Sequence, residues 1–128
     1  MIHGTLGNIR NGDDERRLIT EHSSPEGGFT YNRFFIKSAD AGPLGNHYHS
    51  EKTEDFLILK GGGKFIGQMV DEKEQAIGER IELLLTENSV VQVPPRLVHV
   101  FVLEKGSEMV CHSNKPFDFD DMHTWKLL

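Results

Sequence analysis

His47-Tyr48-His49-Ser50-Glu51-Lys52-Thr53-Glu54 brings two histidines and a carboxylate into one short run. On a β-strand the side chains at i and i+2 point to the same face. His47 and His49 can therefore reach one ion together. Glu54 lies past a short turn and can return to the same place from the next strand. His99, beyond the Pro94-Pro95 pair, offers a third imidazole from a later strand. Three neutral imidazoles and one carboxylate form a mixed N/O site for one divalent transition metal. Imidazole and carboxylate suit several such ions, so Zn, Mn, Fe, Ni and Cu all stay open.

Working outward from this run, the rhythm is β. Short apolar or alternating stretches are separated by Gly, Pro and Asn/Asp clusters. The expected strands are Leu18–Glu21, Thr30–Lys37, Gly45–His49, Glu54–Lys60, Lys64–Val70, Arg80–Leu85, Val90–Val93, His99–Leu103 and Met109–Ser113. Asn11-Gly12-Asp13-Asp14 reads as a turn and Ser24-Pro25-Glu26-Gly27-Gly28 as a loop. Asp40-Ala41-Gly42-Pro43 reads as a tight reversal, and Gly61-Gly62-Gly63 as a hairpin or kink. Asp71–Ile77 is a polar excursion between strands. Many short strands at this spacing indicate an all-β sandwich or small barrel.

The 128 residues fit a single domain, 1–128, with a core at about 29–113. The tail, 115–128, is expected to be irregular, or one short helical turn, and to pack on the barrel. The formal net charge is -6 with no basic run. That speaks against nucleic acid and against an anionic membrane as partners. Cys111 is the only cysteine, so no intramolecular disulfide can form, and it reads as core. No apolar run approaches a membrane span. Met1-Ile2-His3-Gly4-Thr5 lacks the layout of a signal peptide. The expected location is cytoplasmic.

Gly42 through Gly61 resembles the first motif of the cupin superfamily. That pattern has a glycine, then His-x-His, then a glutamate, then a glycine closing the strand. His47, His49, Glu54 and Gly61 match in spacing, and Gly42 sits one residue late. Asn88–Leu103 resembles the second cupin motif, with Pro94 and His99 at matching positions. Asn88, Arg96 and Leu103 depart from it, replacing two glycines and the terminal asparagine. The resemblance implies a double-stranded β-helix, a jelly-roll barrel with the metal inside its mouth, and a homodimer. The N-terminal segment and Trp125 would then be interface candidates.

A narrower resemblance lies in Asn46-His47-Tyr48-His49 and in Pro116-Phe117-Asp118-Phe119-Asp120-Asp121-Met122-His123-Thr124-Trp125. It is to small cupins of sugar-nucleotide and polysaccharide pathways. Those act as epimerases or isomerases on 4-keto sugars, and some form the C-terminal half of a two-domain enzyme. In related metal-free epimerases a histidine of the His-x-His pair is the free base. Here those histidines are spoken for by the metal, so another group must move the proton.

Strand parity supplies the remaining candidates. If Glu54 faces inward, Phe56, Ile58 and Lys60 share its face; if His99 does, so do Phe101 and Leu103. Phe56, Ile58 and Phe101 would then form an apolar pocket floor that contacts substrate. Gln68 is a further pocket polar by the same rule. If Tyr31 and Arg33 point into the barrel, Arg33 can clamp a carboxylate or phosphate and Tyr31 can donate a proton. The opposite phase puts Asn32, Phe34 and Ile36 inside. Tyr31, Lys60 and His112 are the candidate acids and bases.

An ion with open positions lowers the pKa of a C–H beside a chelated carbonyl. The expected activity is thus metal-assisted isomerisation or epimerisation of a small carbonyl or sugar-like compound. The same site also suits a metal-dependent oxygenase (a dioxygenase) or a non-catalytic small-ligand-binding module. A wall of convergent polar side chains favours sugar chemistry, and an almost wholly apolar wall favours the other two.

Overall fold

The computed structural model describes residues 8–25, 29–115 and 118–128. Among them the strands are β1 (Asn8–Asp13), β2 (Arg17–Ser23), β3 (Thr30–Ile36), β4 (Leu44–Tyr48), β5 (Glu54–Lys60), β6 (Gly63–Val70), β7 (Ala76–Leu85), β8 (Val90–Val93), β9 (Leu97–Leu103), β10 (Glu108–Ser113) and β11 (His123–Thr124). They form two antiparallel sheets, ordered β1-β2-β3-β10-β5-β8 and β11-β4-β9-β6-β7. No described helix is long and apolar enough to cross a membrane.

Alternation places the core between the sheets. Strand β5 buries Glu54, Phe56 and Ile58 and leaves the residues between them more open, the period-two signature of a half-buried strand. Phe56 and Ile58 join Ile36, Phe65, Phe101, Met109 and Cys111 in one apolar cluster. Strand β9 is buried on both faces from Leu97 to Phe101. Phe101 and Leu103 belong to that central cluster, while Val98 packs with Tyr48 and Val70 under Trp125 and Leu127 of the tail. Trp125 Nε1 also donates to the Glu74 carbonyl at 3.1 Å.

The glycine run joins β5 to β6, and Gly61 takes φ +77° there. Asn88 and Arg96, where the cupin pattern has glycine, keep the left-handed backbone at φ 72° and 66°. Asn tolerates that region. Arg96 is held in it by a bond from its guanidinium to the Asp71 carbonyl at 2.9 Å.

Several boundaries differ from the sequence reading. Asn11–Asp13 is strand, not turn, because β1 pairs with β2 along its whole length. The reversal falls at 14–16, where Asp14 Oδ1 accepts the backbone N–H groups of Arg16 and Arg17 at 2.8 and 3.0 Å. The sheet thus extends well before residue 29. Strand β7 begins at Ala76 rather than Arg80. The tail contains the expected single helical turn, a 3-10 turn at Phe119–Asp121, and adds the short β11 beside β4. The segment before residue 8, residues 26–28 of the Ser24–Gly28 loop and the Pro116-Phe117 pair lie outside the described residues.

Candidate metal centre

The two sheets meet at the His/Glu cluster. His47 on β4 is the register partner of His99 on β9. His49 follows the end of β4, and Glu54 opens β5 in the other sheet. One ring nitrogen from each of His47, His49 and His99 lies within 4.8 Å of the other two. Glu54 Oε1 is 3.2 Å from His49 Nε2 and 3.5 Å from His99 Nε2. Gly45 permits this approach: at φ +117° a Cβ there would overlap the His99 carbonyl oxygen.

The donor atoms are aimed at one another. His49 Nδ1 is 2.8 Å from the Asp121 carbonyl oxygen, and His99 Nδ1 is 3.0 Å from that of Leu97. A carbonyl only accepts, so each Nδ1 carries hydrogen, and each ring turns its Nε2 toward Glu54. Burial, aided by the neighbouring His99 and His49, drives His47 down to about 3. Burial also lowers His99. For Glu54 burial alone would raise the carboxyl, but the facing His49, His99 and Lys52 outweigh it and hold it at about 2. Glu54 Oε1 is nevertheless buried without a hydrogen-bond partner. A buried carboxylate oxygen without a hydrogen-bond partner is costly. A cation between these donors would remove that cost, so the residues fit the metal.

A family model for the polysaccharide biosynthesis C-terminal domain matches residues 13–125. The chain belongs to that family. No curated protein sequence matches this polysaccharide biosynthesis C-terminal domain. Solved structures do. It is similar to CapF, described as a capsular polysaccharide assembling protein from Staphylococcus aureus, at 22% identity, with 94% of this chain and 32% of that chain covered and a TM-score of 0.70. CapF with the inhibitor 3-isopropenyl-tropolone gives 23%, 94% and 34%, at a TM-score of 0.71. Oxalate decarboxylase from Bacillus subtilis at pH 4.6 gives 19%, 98% and 33%, at 0.62. This chain spans about a third of the length of these proteins. The likeness shows the fold, the cupin double-stranded β-helix.

In this domain a cavity of about 520 Å³ opens beside the cluster. Ile19, Glu21, Asn32, Phe34, Phe119 and Met122 line it together with His47, His49, Lys52 and Glu54. A second cavity, of about 300 Å³, reaches His47, Glu54 and His99 over Phe56 and Phe101. Phe56 and Phe101, the expected floor residues, line this second cavity. Ile58, also expected there, is instead sealed in the core at 1% exposure and borders neither cavity.

The other candidates lie away from the cluster. On β3 the inward phase belongs to Asn32 and Phe34. Tyr31 is 48% exposed and packs against Phe29 and His112. Arg33 is paired with Glu108 at 3.3 Å on the outside. Exposed His112 sits across from Tyr31 on β10. Lys60, at the end of β5, is exposed, past the point where an irregularity shifts the register between β5 and β10. Gln68 is buried but spends its amide on the carbonyls of Met69, Ile77 and Gly78 at 3.2, 3.1 and 3.3 Å, where a bulge interrupts the pairing of β6 with β7.

Three cluster neighbours escaped the sequence reading: Lys52, Glu21 and Asp121. Asn32 belongs to the apolar phase of β3, the alternative that the strand left open. Asn32 Nδ2 donates to Glu21 Oε2 at 3.3 Å, tying the two polar wall residues together. Lys52 and Asp121 sit in irregular chain, where parity carries no signal.

Proposed function

We propose that this domain is a metal-binding cupin. It holds one divalent transition metal through His47, His49, Glu54 and His99, and isomerises or epimerises a small carbonyl or sugar-like compound in polysaccharide biosynthesis. The observation that carries the reading is Glu54 Oε1, buried, unpartnered and facing two imidazole nitrogens at 3.2 and 3.5 Å. When bound, the ion would supply Lewis-acid polarisation of a carbonyl oxygen. The chain's own residues supply the rest. His47, His49 and His99 present imidazole nitrogen donors, and Glu54 supplies the compensating negative charge. Ile19, Phe34, Phe119 and Met122 give the cavity an apolar wall. Asn32 and Glu21 offer hydrogen bonds to hydroxyl groups, which favours a polyhydroxylated ligand over the oxygenase and simple capture readings. Tyr31, Lys60 and His112 do not border the cavity. In this reading Glu21 therefore takes the proton.

Elemental analysis of the purified protein is the test, with thermal shifts on returning Zn, Mn, Fe, Ni and Cu to stripped protein. One equivalent of one ion and a clear stabilisation are expected. The variant carrying Glu54→Ala and His99→Ala should lose both, and unchanged metal content in it would refute the ligand assignment. Deuterium uptake from D2O into dihydroxyacetone then separates chemistry from binding. Glu21→Gln should abolish the uptake while metal content stays at one equivalent. A loaded protein that exchanges no C–H would be a binding module.

A further inference from the structure

Lys52 lies in the link between β4 and β5, where a lysine is normally solvated. Yet it is only 6% exposed. Its Nζ is 3.8 Å from Glu54 Oε2, beyond hydrogen-bond reach. The side chain borders the large cavity together with His47, His49 and Glu54. It also borders a smaller one of about 130 Å³. A buried ammonium needs anionic or acceptor partners for its three donors. Glu54 is the carboxylate it approaches, and in the metal-binding reading that carboxylate is already engaged by the ion through Oε1.

With a divalent ion in place the large cavity carries net positive charge, since the ion and Lys52 outweigh Glu54 and Glu21. This spot lies inside a chain of net charge -6. The apolar wall of Ile19 and Phe34 weakens dielectric screening there. The smaller cavity is bordered by Glu51, Asp118 and Asp121 as well as Lys115, so it is a poor home for an anion. The attraction is directed into the large cavity.

We propose that Lys52 is the residue by which this cavity selects an oxyanion, a carboxylate or phosphate group carried by the small carbonyl or sugar-like ligand. The inference rests on the metal-binding reading. It adds to that reading the class of substrate and a specificity-determining residue outside the ligand set.

The experiment is calorimetric titration of the zinc-loaded full chain with pyruvate, with inorganic phosphate and with neutral dihydroxyacetone. Wild type, Lys52→Met and Lys52→Arg are compared, with zinc content and melting temperature measured first. Pyruvate or phosphate should bind wild type, and whichever does identifies the oxyanion. Lys52→Met should weaken that binding by roughly 10-fold or more, the size of a charged hydrogen bond. Lys52→Arg should restore most of it, and dihydroxyacetone should be unaffected. Equal oxyanion affinity in wild type and Lys52→Met overturns the assignment. So does an equal loss for dihydroxyacetone, or no oxyanion binding at all. If Lys52→Met does not fold, Lys52→Gln takes its place. Failure of the underlying reading shows separately, as wild type that holds no zinc. The same titrations on that protein as purified then decide Lys52 by the same criteria.

Discussion

Asp121 touches the centre twice. Its carbonyl oxygen takes the His49 Nδ1 hydrogen at 2.8 Å. Its carboxylate accepts from the Ser50 and Glu51 backbone N–H groups at 2.8 and 3.2 Å, and from the Ser50 hydroxyl. Burial works against the ionised carboxyl, but these donors outweigh it and hold Asp121 below its ordinary range. One tail residue therefore grips the backbone just after His49 and sets the ring that precedes it. Outer partners of this kind tune metal affinity. Asp121→Ala keeps the carbonyl but loses the grip. The expected result is about 10-fold weaker metal binding at unchanged stoichiometry, read by competition with a chelator. Unaltered affinity would mean that the tail covers the site without orienting it.

At the scale of elements, the centre depends on how closely β4 approaches β9. Gly45 sits opposite Val100, and a side chain there would strike the His99 carbonyl oxygen. Gly45→Ala would also hold alanine at φ +117°, a region that L residues rarely adopt. A loss of about 2 kcal/mol is expected in denaturant melts, together with weaker metal binding, because β4 carries His47. Loss of neither would show that the two strands have room to spare. Elements like these also explain what could be read from the chain. His47, His49, Glu54 and His99 lie on or next to strands in a known order, so period two and spacing bring them to one place. The same parity correctly put Phe56 and Phe101 beneath them. It left β3 open, where Thr30–Ile36 has polar and aromatic residues on both faces, so that either Tyr31 and Arg33 or Asn32 and Phe34 can point inside. The phase is set by neighbours that no single strand encodes: Glu108 draws Arg33 outward, and His112 and Phe29 take Tyr31. Strand β1 was missed because Asn8–Asp13 has little apolar alternation and relies on backbone pairing with β2. Lys52 was missed because a loop has no parity.

At the scale of the whole molecule, the fold closes two sheets over ionisable groups, which ties stability to pH. His47 has an ordinary value of 6.5 and is pushed to about 3 in the folded chain, chiefly by burial. Burial lowers His99 as well. Between those two His47 values the unfolded chain binds more protons than the folded one, so stability rises with pH and is lost on acidification. The loss begins as the pH drops below 6.5, and His47 alone would account for about 2 kcal/mol by about pH 5. Glu54, held at about 2 against an ordinary 4.5, acts in the same direction but only below 4.5. The metal-free protein should therefore melt at a constant temperature above about pH 7 and at steadily lower temperatures below 6.5. His47→Gln should flatten the upper part of that fall. An ion bound only by the folded state would raise the whole curve at neutral pH and make it steeper toward acid, because protons compete for the same donors. A melting temperature that stays level down to about pH 5 in the metal-free protein would mean that the imidazoles take up protons without opening the barrel. Burial would then not be what keeps these nitrogens neutral, and the donor set would lose its readiness for a cation.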